Sequence, residues 1–221
     1  MEQARSLTVS QRIRACGLIP IVRFRALYQA EKIAEALHAA GVDIIEFPMT
    51  SRHALKAIEK TVDMFGDTMV VGAGTVLDGE TARACILAGA RFIVSPAVNP
   101  GVIGMCKRYS AVVLPGALTP TEVLLAWEEG ADFVKIFPCG DVGGVRYIRS
   151  LKAPFPHIEM VPVGGVTLEN AADFIRAGCA ALGVGAGIIN GDPQKSSHYE
   201  DMTIKASQFL GTIQKARTTR E

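Results

Sequence analysis

Two charged residues stand where charge is costly. Lys135 lies in the middle of the run Asp132-Phe133-Val134-Lys135-Ile136-Phe137-Pro138, and Glu46 interrupts the run Ile44-Ile45-Glu46-Phe47. Both runs read as buried β-strands, and lysine and glutamate are almost never fully buried without compensation. Side chains alternate along a strand, so Lys135 shares a face with Phe133 and Phe137, while Val134 and Ile136 take the other. Either face is apolar, which leaves the ammonium few routes to water. Desolvation lowers a lysine's pKa and leaves free amine near neutral pH, the form that attacks a carbonyl. Glu46 then supplies a carboxylate that moves protons. The plainer alternatives are an edge-strand lysine whose ammonium reaches solvent and a structural ion pair. Arg23 is a third charge at a strand end. It either grips a substrate carboxylate through two parallel hydrogen bonds or neutralises Glu46.

The elements that must position these residues follow one another regularly. A short helix over Val9–Cys16 precedes a strand over 18–23. Helix 27–40, stopped by Gly41, leads to strand 42–47. Ser51 reads as the N-cap of a helix reaching residue 64. Strand 69–74, helix 79–87, strand 91–94, helix 100–108 and strand 111–114 come next. Thr119-Pro120-Thr121-Glu122 opens a helix with threonine as N-cap, proline in the first turn and an early glutamate. The lysine strand follows. Beyond it come a helix from Gly143-Gly144 to residue 151, strand 158–163, helix 168–177, strand 181–184 and an amphipathic helix over 199–212. The basic tail over 215–221 reads as frayed. About eight apolar strands thus alternate with about eight helices, the pattern of a parallel sheet covered by helices. The expected fold is α/β: a single-domain (β/α)8 TIM barrel over residues 1–221 with a short N-terminal helix. The alternative, a doubly wound open sheet, calls for a glycine-rich turn after the first strand, where Arg23-Phe24-Arg25 stands instead.

In a barrel, chemistry sits at the carboxyl ends of the strands. That rule selects Arg23, Glu46, Thr75, Ser95, Pro96, Gly116, Lys135, Phe137, Gly164, Gly165, Gly183, Val184 and Gly185. The glycine doublet after strand seven and the glycines after strand eight suit an anion, which this fold cradles there with backbone N–H groups and helix dipoles.

Other chemistries have little support. His38, His53, His157 and His198 are dispersed without metal-binding spacing, so no metal site is expected. Nucleophile elbow, Walker loop and dinucleotide fingerprint are missing, and no cofactor is expected. A net charge of +1 gives no reason to expect a nucleic-acid or acidic-membrane partner. The five cysteines are scattered without a C-x-x-C pair, which argues against disulfides and points to a reducing cytosol. The charged N-terminus has no signal-peptide core, and no apolar run is long enough for a membrane span.

With these residues in place, the chain resembles the class I 2-keto-3-deoxy-6-phosphogluconate (KDPG) aldolases and the related 4-hydroxy-2-oxoglutarate (KHG) aldolases. Ile19-Pro20-Ile21-Val22-Arg23, Ile45-Glu46, Val71-Gly72-Ala73-Gly74-Thr75-Val76-Leu77, Ile93-Val94-Ser95-Pro96, Phe133 to Pro138 and Pro162-Val163-Gly164-Gly165-Val166 carry the resemblance. It implies a metal-independent homotrimer acting on a small 2-oxo acid. Lys135 would form the Schiff base and Glu46 would act as general base and acid, through a water. Arg23 and Thr75 would hold the pyruvate carboxylate with help from N–H groups near Ser95-Pro96. Phe137 would pack beside the imine, and the Gly164-Gly165 and Gly183-Val184-Gly185 loops would bind the far end of the substrate. Members acting on phosphorylated sugar acids often carry an arginine soon after the glutamate and a serine near strand eight. Here Phe47-Pro48-Met49-Thr50-Ser51 and Gly185 occupy those places, and Arg52 falls later. The leading expectation is Schiff-base cleavage of a KDPG-type 2-keto-3-deoxy-6-phospho sugar acid to pyruvate and glyceraldehyde 3-phosphate, with 4-hydroxy-2-oxoglutarate, cleaved to pyruvate and glyoxylate, as a further substrate. The alternatives are a KDPGal-type or non-phosphorylated 2-oxo sugar acid, or a phosphate-binding barrel doing isomerase or decarboxylase work. A sugar-acid-binding barrel without catalysis is the non-enzymatic alternative.

Overall fold

The computed structural model describes residues 7–190 and 197–218. Its strands are short and parallel: β1 (Leu18–Pro20), β2 (Ile44–Pro48), β3 (Val70–Gly74), β4 (Phe92–Val94), β5 (Val112–Leu114), β6 (Gly116–Ala117), β7 (Val134–Ile136), β8 (Met160–Pro162) and β9 (Leu182–Val184). β2, β3, β4 and β5 pair in that order, as do β6, β7 and β8, and β9 pairs with β1. Two bridges join these groups: Ile21 with Glu46, between β1 and β2, and Val163 with Gly183, between β8 and β9. Pro115, which has no N–H to give a ladder, separates β5 from β6. The two still form one stave, because the segment leading into β7 and β7 itself run along both: Asp132 N–H donates to the Val113 carbonyl of β5 at 3.1 Å, and Lys135 and Ile136 of β7 pair with Gly116 and Ala117 of β6. The ring therefore closes, and the fold is the expected TIM barrel.

Helices α1 (Val9–Cys16), α2 (Leu27–Ala39), α3 (Ala54–Phe65), α4 (Gly79–Leu87), α5 (Pro100–Arg108), α6 (Pro120–Glu128), α7 (Val145–Lys152), α8 (Leu168–Arg176), α9 (Ala186–Ile189) and α10 (His198–Thr218) accompany the strands. The start of α6 is as its sequence requires. Thr119 Oγ1 accepts from Glu122 N–H at 3.3 Å, and the Glu122 carboxylate accepts from Thr119 N–H at 2.8 Å.

Strand alternation sorts the apolar side chains into two separate clusters. Leu18, Ile45, Phe47, Val71, Ala73, Ile93, Val134, Ile136 and Val184 face outward and pack beneath the helices. Ile19, Ile21, Ile44, Val70, Phe92, Val94, Phe133, Val161 and Val163 face inward and fill the bore. Ile13 of α1 belongs to this inner cluster and is fully buried, so α1 plugs the amino-terminal end of the barrel. The carboxyl-terminal end is left for polar groups.

Several expectations are corrected. Ser51 is not an N-cap. Its N–H and carbonyl are used in two successive turns, to Pro48 O and from Ala54 N–H, and α3 begins after His53, whose φ is +67°. The glycine stretch after β9 contains the short helix α9, and the two-residue strand β6 lies beyond the expected end of strand five. The last helix runs on to Thr218 rather than stopping near 212, because Ile213 and Ala216 are buried and Arg217 donates to the carbonyls of Arg14, Ala15 and Ala180. The end of the expected frayed tail, 219–221, lies outside the described residues. Among the described residues no helix is long and apolar enough to cross a membrane.

Candidate active site

β2 and the β7 stave stand opposite each other in the ring, four places apart. Their inward residues at the carboxyl end are Glu46, 3 % exposed, and Lys135, 6 % exposed. The inward orientation follows from their neighbours: Ile45, Phe47, Val134 and Ile136 all lie in the outer cluster. The expected face-sharing of Lys135 with Phe133 is observed, since Phe133 fills the bore below it.

Burial acts on the two charges in opposite directions. Desolvation pushes the Glu46 carboxyl above its ordinary value, and the positive charges of Lys135 and Arg23 pull it back. Desolvation pushes the Lys135 ammonium below its ordinary value. The Glu46 charge resists that fall, while Arg23 adds to it. Among the described residues no direct ion pair ties Lys135 to Glu46. The amine is therefore not locked to a carboxylate and points into the mouth, with its Nζ 4.8 Å from the centre of the Phe137 ring. Phe137 is 38 % exposed and covers this side of the lysine as a wall open to the mouth.

The other expected residues gather around this pair to differing degrees. Thr75 directly follows β3, whose last residue, Gly74, borders the Glu46 carboxylate. The Thr75 φ is +54°, a left-handed conformation that is an outlier for a β-branched residue. Such strain persists only where the surroundings over-determine it, and it clusters at ligand-binding positions. Arg23 is exposed at the rim, and its Nη1 would be 3.4 Å from a Cβ on Gly185. It therefore lies against the loop after β9, and its charge is felt by both Glu46 and Lys135. Gly164 packs beside Phe137, and Gly165, with φ +73°, meets Gly140 so closely that a Cβ would lie 2.7 Å from the Gly140 Cα.

Three expected roles change. Ser95 is buried, its hydroxyl donates to Ala97 O at 2.7 Å, and its N–H donates to Leu114 O at 3.2 Å. Pro96 has no N–H. Neither of these two residues therefore offers a free backbone N–H, and Ser95 fixes the loop after β4. Val184 points outward beneath the helices, and its carbonyl accepts the Ile21 N–H at 2.8 Å. Gly183 is set in the wall, where a Cβ would come 2.6 Å from Val163 Cγ2. Of that triplet, Gly185 is the one that faces the rim.

Gly116, selected by its place at a strand end, is the register partner of Lys135, and a Cβ on it would overlap the Pro96 carbonyl, so it lets the loop after β4 approach the lysine strand. Sequence reasoning passed over Gly74, which borders Glu46. Among the described residues no group of His, Cys, Asp or Glu side chains is gathered as a metal site.

A buried amine facing a buried carboxylate across a barrel mouth, with an arginine at the rim and glycine loops beyond, is an arrangement for covalent chemistry on a carbonyl. The KDPG and KHG aldolase family model matches residues 9–204. A 2-dehydro-3-deoxy-6-phosphogalactonate aldolase of Escherichia coli (strain K12) is 41 % identical over 170 residues, which is 76 % of this chain and 82 % of the relative. A 2-dehydro-3-deoxy-phosphogluconate aldolase of Treponema pallidum (strain Nichols) is 32 % identical over 207 residues, 94 % of this chain and 98 % of that one. A solved structure described as native KDPGal superposes with a TM-score of 0.84 at 36 % identity, covering 91 % of this chain and 96 % of its own. The chain belongs to the KDPG and KHG aldolase family and is an aldehyde-lyase.

Proposed function

We propose that Lys135 carries out a Schiff-base aldol cleavage of 2-dehydro-3-deoxy-6-phosphogalactonate, releasing pyruvate and glyceraldehyde 3-phosphate. The observation that carries the reading is the buried amine of Lys135 opposite Glu46, held in no ion pair among the described residues. Free amine attacks C2 of the substrate, and the carbinolamine loses water to give a protonated imine. Glu46, acting through a water, takes the proton from the C4 hydroxyl. The C3–C4 bond breaks, its electron pair enters the enamine, and the aldehyde departs. The enamine is then protonated at C3 from the same carboxyl group, and water hydrolyses the imine to pyruvate and free lysine.

Arg23 and Thr75 hold the pyruvate carboxylate in this reading, and Phe137 shields the imine. Gly164, Gly165 and Gly185 line the way to the far end of the substrate. The strained backbone of Thr75 supports its place at the ligand. Arg23, a cation beside Gly185 whose charge also acts on Glu46 and Lys135, supports an anionic substrate. The galactonate epimer is favoured over the gluconate one because the relative at 41 % identity and the solved structure at 36 % are both of the KDPGal type, whereas the gluconate-type relative is 32 % identical. Family resemblance further supports a homotrimer, and the free thiols of all five cysteines support a reducing, cytoplasmic setting.

Pyruvate release, followed by coupling to lactate dehydrogenase, tests the assignment with the two epimers and with 4-hydroxy-2-oxoglutarate. The 6-phosphogalactonate epimer should give the highest kcat/KM. A higher value for the gluconate epimer or for 4-hydroxy-2-oxoglutarate would move the assignment to that substrate.

A further inference from the structure

We propose that Gly74 is a positioning residue whose missing side chain forms the slot in which the Glu46 carboxylate sits. The inference rests on the Schiff-base reading above and concerns what holds its acid–base group in place. On β3, Val71 and Ala73 face the helices and Val70 faces the bore, so Gly72 and Gly74 are inward positions. Both lack a side chain, and a neighbouring strand fills each space. The ring of Phe92, from β4, occupies the space at Gly72. The carboxylate of Glu46, from β2, occupies the space at Gly74, where an added Cβ would overlap Oε1 and Cδ and come within 3.0 Å of Cγ. Glu46 is paired in register with Gly72, and Pro48 with Gly74. The glutamate side chain therefore leans along the strand toward the mouth and ends two residues further on, over Gly74.

Backbone conformation gives no reason for this glycine. Gly74 lies in regular strand and is not among the glycines with positive φ. Glycine weakens a strand interior, and where it persists another group often approaches closely. Here that group is the buried carboxylate whose charge acts on Lys135. Any side chain at position 74 displaces it, and below it the bore is filled by Val70 and Phe92.

The test is Gly74→Ala, alone and combined with Glu46→Asp, assayed for kcat, KM and reductive trapping by pyruvate and borohydride. Gly211→Ala in α10 is the control, because a Cβ there meets nothing within 4 Å. Gly74→Ala should still be trapped at Lys135, while kcat falls about a hundredfold with a much smaller change in KM, the scale of a misplacement of about an ångström. Glu46→Asp withdraws the carboxyl group by one methylene, to near the place of the present Cγ. Although harmful in the wild-type background, it should raise the kcat of Gly74→Ala at least tenfold. A merely structural glycine would not produce that reversal of sign. A trapped Gly74→Ala protein that turns over within threefold of wild type, or no gain from Glu46→Asp in its background, overturns the inference. Should Gly74→Ala fail to fold, recovery of a folded protein in the double variant supports the slot and an unfolded double variant overturns it. Failure of the wild-type protein to be trapped overturns the Schiff-base reading itself and is thereby distinguished from failure of the slot.

Discussion

Replacing Thr75 by valine and by glycine separates what its backbone costs from what its hydroxyl does. The residue holds φ at +54°, and a non-glycine residue in such a region costs about 1–3 kcal/mol. Glycine removes that strain but gives up about 0.5–1 kcal/mol of backbone entropy, so Thr75→Gly should gain about 1 kcal/mol. For a chain of 221 residues that raises Tm by about 2–4 °C. Thr75→Val keeps the branched shape and the strain, and its Tm should stay near wild type. Both variants lose the hydroxyl that the proposed function assigns to the substrate carboxylate, and a hydrogen bond to a charged group contributes about 1.5–3 kcal/mol. Both should therefore lose about tenfold to a hundredfold in kcat/KM, read in the coupled pyruvate assay. The signature is a glycine variant more stable and less active than its parent. A valine variant with full kcat/KM would refute the role of the hydroxyl. A glycine variant that melts below wild type would refute the claim that strain is stored at this position.

Three further outcomes follow from buried polar groups. The Thr61 hydroxyl, fully buried in α3, has no hydrogen-bond partner among the described residues, so Thr61→Val should stabilise the fold by about 1 kcal/mol and raise Tm by about 2–4 °C without altering turnover. Glu46→Gln removes the charge that resists the fall of the Lys135 pKa. The pH midpoint of pyruvate–borohydride trapping should therefore move lower while turnover drops about a hundredfold or more; an upward shift would contradict the electrostatic account. The Lys135 pKa lies below the ordinary 10.5, so between those two values the unfolded chain binds the extra proton. Its contribution accordingly makes the fold more stable as pH rises through that window. Denaturant melts of wild type and Lys135→Met against pH should show this slope in the wild type and its loss in the variant.

The two central residues were legible because each breaks an apolar strand, and parity along the strand put Lys135 on one face with Phe133 and Phe137; that this face lines the bore is shown by the packing of the barrel. The order of strands and helices was legible for the same reason: hydrophobic period and cap residues agreed, as at Thr119. What escaped reading depends on contacts distant in sequence. Residues 215–218 look like a basic tail, yet Arg217 closes against the carbonyls of Arg14 and Ala180. Val184 and Gly183 looked alike as members of a glycine loop, but pairing with β1 turns Val184 outward and sets Gly183 in the wall. The backbone near Ser95-Pro96 looked like a source of donors for substrate, but the Ser95 N–H goes to the Leu114 carbonyl, a contact between neighbouring strands. Gly74 reads as the end of a strand, and only the neighbouring glutamate shows what its empty side fills.

The central claim is that Lys135 is the nucleophile. Wild-type protein and Lys135→Met, each incubated with pyruvate and borohydride and weighed by mass spectrometry with peptide mapping, test it most directly. The account predicts one pyruvate-sized adduct per wild-type chain, located on Lys135, and none on the variant. A folded wild-type protein that gains no adduct, or gains it on another lysine, would contradict it.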